Sequence, residues 1–184
     1  MRAALELLAE SGYDRLTMEA VAARAKAGKA TLYRRWPSKA ELVVDAVTCL
    51  KGPAHARNAD TGSLRGDLRA SFLGAYKELD EFQIGVISGL LTSLRRNPDL
   101  AKVFEERFVA QSMRILSAIF TRARERGEVA DGHDIELLAA VGPAILFHRL
   151  LLTGKPLTRE FIGRVIDEVI LPLAGNPLPR KAQA

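Results

Sequence analysis

The chain has 184 residues, of which 48% are hydrophobic and 27% are charged, and its formal net charge at neutral pH is +5. This composition is that of a soluble globular protein, and it excludes intrinsic disorder as the main theme. Its single cysteine, Cys49, excludes an internal disulfide framework and a multi-cysteine zinc site, and we expect a buried or half-buried thiol.

Two short helices are predicted at the start of the chain. Apolar residues at helical spacing predict the first over 3–10, and Gly12 stands where a C-terminal cap is expected. Thr17 is a suitable N-cap for the second helix, and Glu19 in its first turn is favourably placed against the helix dipole. The inner face of the second helix is predicted to comprise Met18, Val21, Ala22 and Ala25.

A tight turn and two further helices follow. Ala27 and Gly28 predict the turn, in which Gly28 supplies backbone freedom. The next helix is predicted from about Lys29 to Trp36, where Pro37 stops it. A capping-box pattern, Ser38 to Glu41, then starts the fourth helix. A polyanionic partner is the simplest explanation for six basic residues with no acidic one among them: Arg24, Lys26, Lys29, Arg34, Arg35 and Lys39.

The middle of the chain is predicted to hold a linker and long helices. Residues 52–62 are small, polar and rich in helix breakers, which indicates a linker. Helical spacing of apolar residues then predicts helices over 63–82 and 84–96. Asn97 and Pro98 provide an N-cap and a proline at the first helical position, and they open a helix that runs to Arg126. No alternating pattern competes with these helices, so we predict an all-α fold.

Two strongly apolar helices are predicted near the C-terminus, over 134–152 and 161–173. Their apolar residues form belts too wide to be buried against one neighbour. We expect one side to face the domain core and the other a second subunit, so that two copies form an intermolecular four-helix bundle. The alternative is that both helices are central in a monomer. Residues 176–184, with two prolines, are predicted to be a disordered tail.

The N-terminal pattern resembles the DNA-binding domain of tetracycline-repressor-type (TetR) regulators. The segments LTMEAVA (16–22) and KATLYRRWPSKAEL (29–42) carry this resemblance, and the rest of the chain is similar to the family in helix pattern and length only. The resemblance implies a three-helix helix-turn-helix DNA-binding domain over 1–51. It also implies a helical ligand-binding and dimerisation domain over 52–175.

The resemblance implies a function as well: a ligand-responsive transcriptional regulator, a homodimeric repressor that binds a palindromic operator in double-stranded DNA and is released by a small-molecule inducer. Lys29 and Ala30 match the start of the recognition helix, where family members contact base edges. Thr17 matches a cap whose helix N-terminus faces a phosphate. The positions that contact phosphates in the family match Thr31, Tyr33, Arg34, Arg35 and Lys39. Gly28 departs from the serine or threonine that usually caps the recognition helix.

Several of these residues also have a purely structural interpretation. Tyr33 and Trp36 are candidate core anchors, and for Trp36 the core interpretation is the stronger one. Arg34 and Arg35 are alternatively part of a solvated face, but their acid-free surroundings favour phosphate binding.

A ligand cavity between the long helices is a further expectation. Gln111 and His148 would be its polar groups, and ordinary core packing is the alternative for every candidate. The candidate lining residues are Phe72, Tyr76, Ile87, Leu91, Phe104, Phe108, Gln111 and His148.

We find no pattern that indicates catalysis, and we predict that the chain is not an enzyme and holds no metal or cofactor. It lacks a glycine-rich phosphate loop, a paired-histidine metal spacing and a serine in a nucleophile elbow. No signal-peptide core and no run of about 18 apolar residues is evident, which predicts a cytoplasmic protein without a membrane partner. The alternatives are a small-molecule-binding or catalytic helical protein with a vestigial helix-turn-helix, and a constitutive DNA-binding protein with a filled core.

Overall fold

The structure, a computed structural model, describes residues 1–50, 59–76 and 80–176. These residues contain helices and no β-strand, so the predicted all-α fold is confirmed. The α-helices are α1 (Arg2–Arg15), α2 (Met18–Arg24), α3 (Lys29–Arg35), α4 (Lys39–Leu50), α5 (Leu64–Tyr76), α6 (Glu81–Leu94), α7 (Pro98–Phe104), α8 (Ala110–Glu125), α9 (Ile135–Phe147), α10 (Arg159–Arg164) and α11 (Leu171–Gly175). Three π-helical segments extend or join them, at Glu105–Val109, His148–Leu152 and Val165–Ile170.

The described residues divide into two compact units. The first unit comprises 1–50 and 80–111, and the second comprises 59–76 and 112–176. The first unit therefore includes α6 and α7, which pack on α1 and α4, as well as the four N-terminal helices. The predicted domain border between 51 and 52 stays a prediction.

Helix α4 is the centre of the first unit. Apolar spacing predicts one inner face of Leu42, Val43, Ala46, Val47 and Leu50, of which the first four are buried and Leu50 is half-buried. Val44 is also fully buried, because α1, α6 and α7 all pack against α4. A helix enclosed on this many sides fixes the position of α3, which precedes it by three residues.

The predicted helix over 63–82 is wrong in extent. Helix α5 is described as far as Tyr76, and α6 begins at Glu81, so Phe82 lies in the first turn of the next helix. Asp80 and Gln83 form a capping box: the Asp80 carboxylate accepts from the Gln83 backbone N–H at 2.7 Å, and the Gln83 side chain accepts from the Asp80 backbone N–H at 3.2 Å. The apolar spacing continues to Leu79 in the sequence and hides this start signal.

The predicted helix from Pro98 to Arg126 is confirmed in extent, since α7, a π-helical segment and α8 run from Pro98 to Glu125. Gly127 ends it in the left-handed conformation, with φ +78°. Asn97 occupies the N-cap position, but its side chain accepts no hydrogen bond from the first turn of α7. Its amide donates instead to the Ser93 carbonyl at 2.9 Å and to Asp14 Oδ1 at 3.1 Å.

In the second unit, α5 and α9 approach closely at a glycine. A β-carbon on Gly142 would lie 2.4 Å from the Cζ atom of Phe72, which is itself buried. Further along the same two helices, Tyr76 stands edge-on to Phe147, with ring centroids 6.3 Å apart. The glycine thus makes room for the phenylalanine ring.

The second unit also holds the start of α5 through a buried carboxylate. Asp67 is 0% exposed, and it accepts from the Thr61 hydroxyl at 2.8 Å. Its other oxygen is 3.3 Å from Arg126 Nη2 and 3.8 Å from Arg122 Nη2, both on or just after α8. Of the predicted linker over 52–62, the part from 59 onward is therefore attached to this unit, whereas 52–58 lie outside the described residues.

The predicted disordered tail, 176–184, lies outside the described residues except for its first residue. The Asn176 carbonyl oxygen is 2.7 Å from the Nε2 atom of His133. The Ala130 backbone N–H donates to the Ala174 carbonyl at 2.8 Å, so the end of α11 is held against the loop before α9.

The stretch Ile135–Leu152 is long and apolar enough to cross a bilayer by length and composition, so the expectation that no such run exists is wrong by that measure. Only 28% of it is buried. Leu137 and Leu152 are 68% and 78% exposed. A large exposed apolar face marks an interaction site, either for another protein surface or for a membrane.

Candidate nucleic-acid interface

Helix α2 starts as predicted and ends earlier than predicted. The Thr17 hydroxyl accepts from the Ala20 backbone N–H at 3.1 Å, which confirms the N-cap. Met18, Val21 and Ala22 are buried. Ala25 is exposed, because α2 ends at Arg24 and the chain turns away from the inner face.

The turn between α2 and α3 uses a different residue from the one predicted. Gly28 has an ordinary extended conformation, with φ −68° and ψ 137°. The left-handed residue of the turn is Lys26, with φ 51°. Gly28 is instead the N-cap of α3, where it supplies no side-chain hydrogen bond to the helix.

Helix α3 is attached through few side chains and presents the rest to solvent. Leu32 is its one buried residue; the other six residues of Lys29–Arg35 are exposed. Trp36, directly after the helix, is buried as the core interpretation predicts. Its indole N–H donates to Asp45 Oδ2 on α4 at 2.9 Å, so the buried ring is also held by a hydrogen bond.

The eight predicted DNA-binding residues differ in how they are held. Seven of them are exposed: Thr17, Lys29, Ala30, Thr31, Tyr33, Arg34 and Arg35. Lys39 is half-buried, since its ammonium donates to the Tyr13 carbonyl at 2.9 Å and lies 4.2 Å from the centroid of the Tyr13 ring. The Arg35 guanidinium lies 4.7 Å from the Trp36 ring centroid. Lys39 is thus the one residue of the eight that is half-buried and bonded to a backbone carbonyl of α1.

Glu19 lies beside the exposed residues of α3, although its sequence position indicates only a favourable charge at the start of α2. Glu19 Oε1 lies 3.2 Å from Lys29 Nζ, and the Tyr33 hydroxyl donates to the same oxygen at 3.5 Å. The pKa of Glu19 is lowered, first by a hydrogen bond from its own backbone N–H at the start of α2 and next by Lys29. Its carboxylate is therefore ionised at neutral pH.

A second group of charges connects α4 to the π-helical segment Glu105–Val109. Arg107 Nη1 lies 3.2 Å from Asp45 Oδ1, and Arg107 Nη2 bonds to Glu41 Oε2. Asp45 therefore joins Arg107 to Trp36 at the end of α3. Only half of the predicted Ser38–Glu41 capping box is present, the bond from the Glu41 backbone N–H to Ser38 Oγ at 3.2 Å, because the Glu41 carboxylate pairs with Arg107.

The predicted ligand-lining residues are divided between the two units. Phe72 and Tyr76 are buried in the second unit, where His148 is exposed. The first unit holds Ile87, Leu91, Phe104, Phe108 and Gln111. The rings of Phe104 and Phe108 stack on each other, with centroids 4.6 Å apart.

A separate polar cleft of about 150 Å³ lies in the second unit, lined by Arg149, Thr158, Glu160, Phe161 and Arg164, none of which was predicted as a ligand residue. The described residues contain no cluster of three or more His, Cys, Asp or Glu side chains suited to a metal.

Comparison with known families matches both parts of the chain. Residues 1–46 match the family described as bacterial regulatory proteins of the tetR family. Residues 58–169 match the family described as the tetracyclin repressor-like C-terminal domain. Together the two matches cover most of the described residues.

Curated relatives carry names of the same kind. An uncharacterized HTH-type transcriptional regulator of Mycobacterium tuberculosis (strain ATCC 25618 / H37Rv) is 38% identical over 91% of this chain and 82% of its own length. The DNA-binding transcriptional repressor TetR of Mycobacteroides abscessus is 35% identical over 92% of this chain and 89% of its own length.

Solved structures share the fold. The TetR family transcription regulator SCO0332 has a TM-score of 0.71 and 28% identity, covering 91% of this chain and 92% of its own. The regulator FadR of Bacillus subtilis, solved in complex with stearoyl-CoA, has a TM-score of 0.68 and 19% identity, covering 95% of this chain and 96% of its own.

Proposed function

The chain belongs to the TetR family of DNA-binding transcriptional regulators, and from this membership we propose that it is a homodimeric repressor released from a palindromic operator by a small-molecule inducer. The observation that carries the proposal is the state of α3. Six of its seven residues are exposed, three of them are basic, and Leu32 with Trp36 fixes the helix against the first unit. This is the arrangement of a helix that enters the major groove.

The roles of the exposed residues follow from their chemistry. Lys29 donates to guanine O6 and N7 in the major groove, and Ala30 lies beside it at the start of α3. Thr17 brings the N-terminus of α2 to a phosphate. The remaining contacts, which position the protein on the backbone, come from Thr31, Tyr33, Arg34, Arg35 and Lys39.

The dimer would form through the last two helices, α9 and α10–α11 with their π-helical segments. Leu137, Leu152 and Leu173 expose large apolar side chains on them. Two-fold pairing would present α3 twice, to half-sites about 34 Å apart or a multiple of that distance. A regulator that acts on DNA in this way belongs in the cytoplasm.

The inducer would bind in the domain formed by 52–175, which we propose as the ligand-binding and dimerisation part, with 1–51 as the DNA-binding part. Phe72 and Tyr76 are the predicted lining residues that lie buried in the second unit, and we retain them as candidates. An apolar molecule suits their chemistry.

Selection of an operator by the wild-type protein from a random duplex library tests the proposal. We expect a two-fold sequence bound by the dimer, with an affinity that falls steeply as salt rises. The change Lys29→Ala should weaken binding by about 10-fold or more and relax the preference at one base pair of each half-site. A folded wild-type dimer that selects no sequence would contradict the proposal.

The phosphate role is tested by Arg34→Ala, with Arg95→Ala as its matched control. Both side chains are exposed arginines of the first unit, but Arg95 follows α6. Loss of one phosphate contact per subunit should reduce the slope of log affinity against log salt by about 2 per dimer. Arg95→Ala should leave the slope unchanged; equal slopes for the two variants would remove Arg34 from the interface.

A further inference from the structure

Glu19 is the one carboxylate in the sequence between Asp14 and Glu41, a segment whose other charged residues are all basic. Its side chain is 49% exposed, and it contacts two residues of α3 through a single oxygen. That oxygen is 3.2 Å from Lys29 Nζ and accepts from the Tyr33 hydroxyl at 3.5 Å. The contact therefore engages two of the side chains that we propose for DNA binding.

The two groups that contact this Glu19 oxygen are ones that also bind phosphate oxygens. Lys29 and Tyr33 are one turn apart on α3, so their donors converge on one acceptor. An ammonium and a phenol converging on one anionic oxygen form the arrangement that a DNA phosphate would otherwise occupy. Because Glu19 lies in the first turn of α2, which Thr17 caps, its carboxylate is held on a rigid element.

We propose that Glu19 is a specificity-determining residue, an internal anion that occupies Lys29 and Tyr33 in the unbound protein and weakens binding to non-operator DNA. This inference rests on the proposed function. On random DNA, Lys29 has to leave Glu19 to reach a phosphate, and the Glu19 carboxylate is repelled by the backbone. Tyr33 leaves Glu19 for a phosphate on both kinds of DNA, so the difference lies in Lys29. At the operator, the Lys29 ammonium has three donors, so it binds a guanine edge while it keeps Glu19 as a partner.

The expected change in affinity is modest, because the ion pair between Glu19 and Lys29 is exposed to solvent. An exposed ion pair shifts an equilibrium by a factor of about 2 to 5, and a dimer contains the pair twice. We therefore expect Glu19→Gln to tighten binding to a random duplex by about 5- to 20-fold at low salt, with a smaller gain as salt rises. Operator affinity should change by less than about 3-fold, so the ratio of specific to non-specific affinity falls.

The experiment measures both dissociation constants by fluorescence anisotropy, with an operator selected by the wild-type protein and a random duplex of the same length. Glu106→Gln is the control for net charge, because Glu106 is an exposed carboxylate of the same unit in the π-helical segment. Glu19→Gln is also made in a Lys29→Ala background, where its gain on random duplex should fall by more than half.

Three results would overturn the inference while the wild-type protein still selects an operator. They are weaker operator binding by Glu19→Gln, unchanged binding to random duplex, and an equal gain from Glu106→Gln. A wild-type protein that selects no operator would instead refute the proposed function, and the inference would fall with it.

Discussion

At the scale of single residues, the turn between α2 and α3 places its conformational strain on a lysine. Lys26 has φ 51°, in the region where a β-carbon costs about 1–2 kcal/mol. Gly28, two residues later, has a conformation that any residue adopts. The glycine thus does not occupy the strained position, and at the N-cap of α3 it offers no side-chain acceptor to the helix.

Replacement of Gly28 by serine should stabilise the protein. A β-carbon at this position would meet only the Thr31 hydroxyl oxygen, at 3.8 Å, so there is room. The serine oxygen would accept a backbone N–H of the first turn of α3, and the unfolded chain would lose freedom. We expect the free energy of unfolding to rise by about 0.5–1.5 kcal/mol, measured by urea denaturation.

Gly28→Ala separates the two contributions, because alanine restricts the unfolded chain but offers no acceptor. Serine should exceed alanine by about 1 kcal/mol. If the alanine variant is as stable as the serine variant, then an unsatisfied helix start is not what limits α3.

Residue roles were predictable where all partners are close in sequence. The Thr17 cap is predictable because the Thr17 hydroxyl accepts from a backbone N–H only three residues later. Lys39 bonds to a carbonyl 26 residues away and Arg107 to a carboxylate 62 residues away, distances that no local pattern reveals. Cys49 was expected to be buried or half-buried and is exposed.

At the scale of helices, the close approach of α5 and α9 depends on one position. Gly142 is buried, and the Phe72 ring occupies the space that a larger residue would need. The neighbouring Pro143 lies inside α9, which continues through it to Phe147. The pair Gly142 and Phe72 thus sets how near these two helices lie.

Gly142→Ala should destabilise the protein although alanine favours helices. The new methyl group would displace the Phe72 ring from its buried position, which costs about 1–3 kcal/mol. Gly89→Ala is the control, since Gly89 is exposed on α6 with no atom within 4 Å of its β-carbon position. That change should stabilise by about 0.5–1 kcal/mol. Thermal denaturation measures both, and a harmless Gly142→Ala would mean that the ring moves freely.

Helix extents were predictable where the 3.6-residue period persists, and less so elsewhere. The period of the apolar residues predicts the helix from Pro98 to Arg126 but not the π-helical segment inside it. A π-helical turn adds width to the helix without interrupting the run of apolar residues in the sequence. His148 begins another such segment and is exposed, although it is one of the two polar groups expected to line the cavity. A wider turn changes which side of the helix a residue faces.

At the scale of the whole molecule, the units are not consecutive along the chain, and the second carries the two most exposed large apolar side chains of the described residues, Leu137 and Leu152. Leu137 is 68% exposed on a helix of which 28% is buried. Exposed leucines of this kind favour a second subunit over a monomer in water. Wide apolar belts made this feature predictable, whereas the packing of 80–111 with the N-terminal helices had no local signal.

Leu137→Glu should therefore weaken the dimer without unfolding the subunit, because the side chain is exposed within one chain. Two-fold symmetry places the change twice in the interface, and we expect the dimer dissociation constant to rise by about 100-fold or more. Phe82→Glu, at another exposed apolar side chain, is the control. Sedimentation velocity measures both, and a Leu137→Glu protein that stays dimeric would exclude α9 from the interface.

Cys49 lies near the end of α4, the helix that fills the centre of the first unit, and it is exposed. Since the sequence contains no other cysteine, a nitroxide or fluorophore couples at one position per subunit without any substitution. A homodimer labelled in this way gives a single inter-label distance distribution, which electron-spin resonance can record with operator DNA and with each compound of an inducer library. The natural sequence thus supplies its own spectroscopic reporter for the search for an inducer.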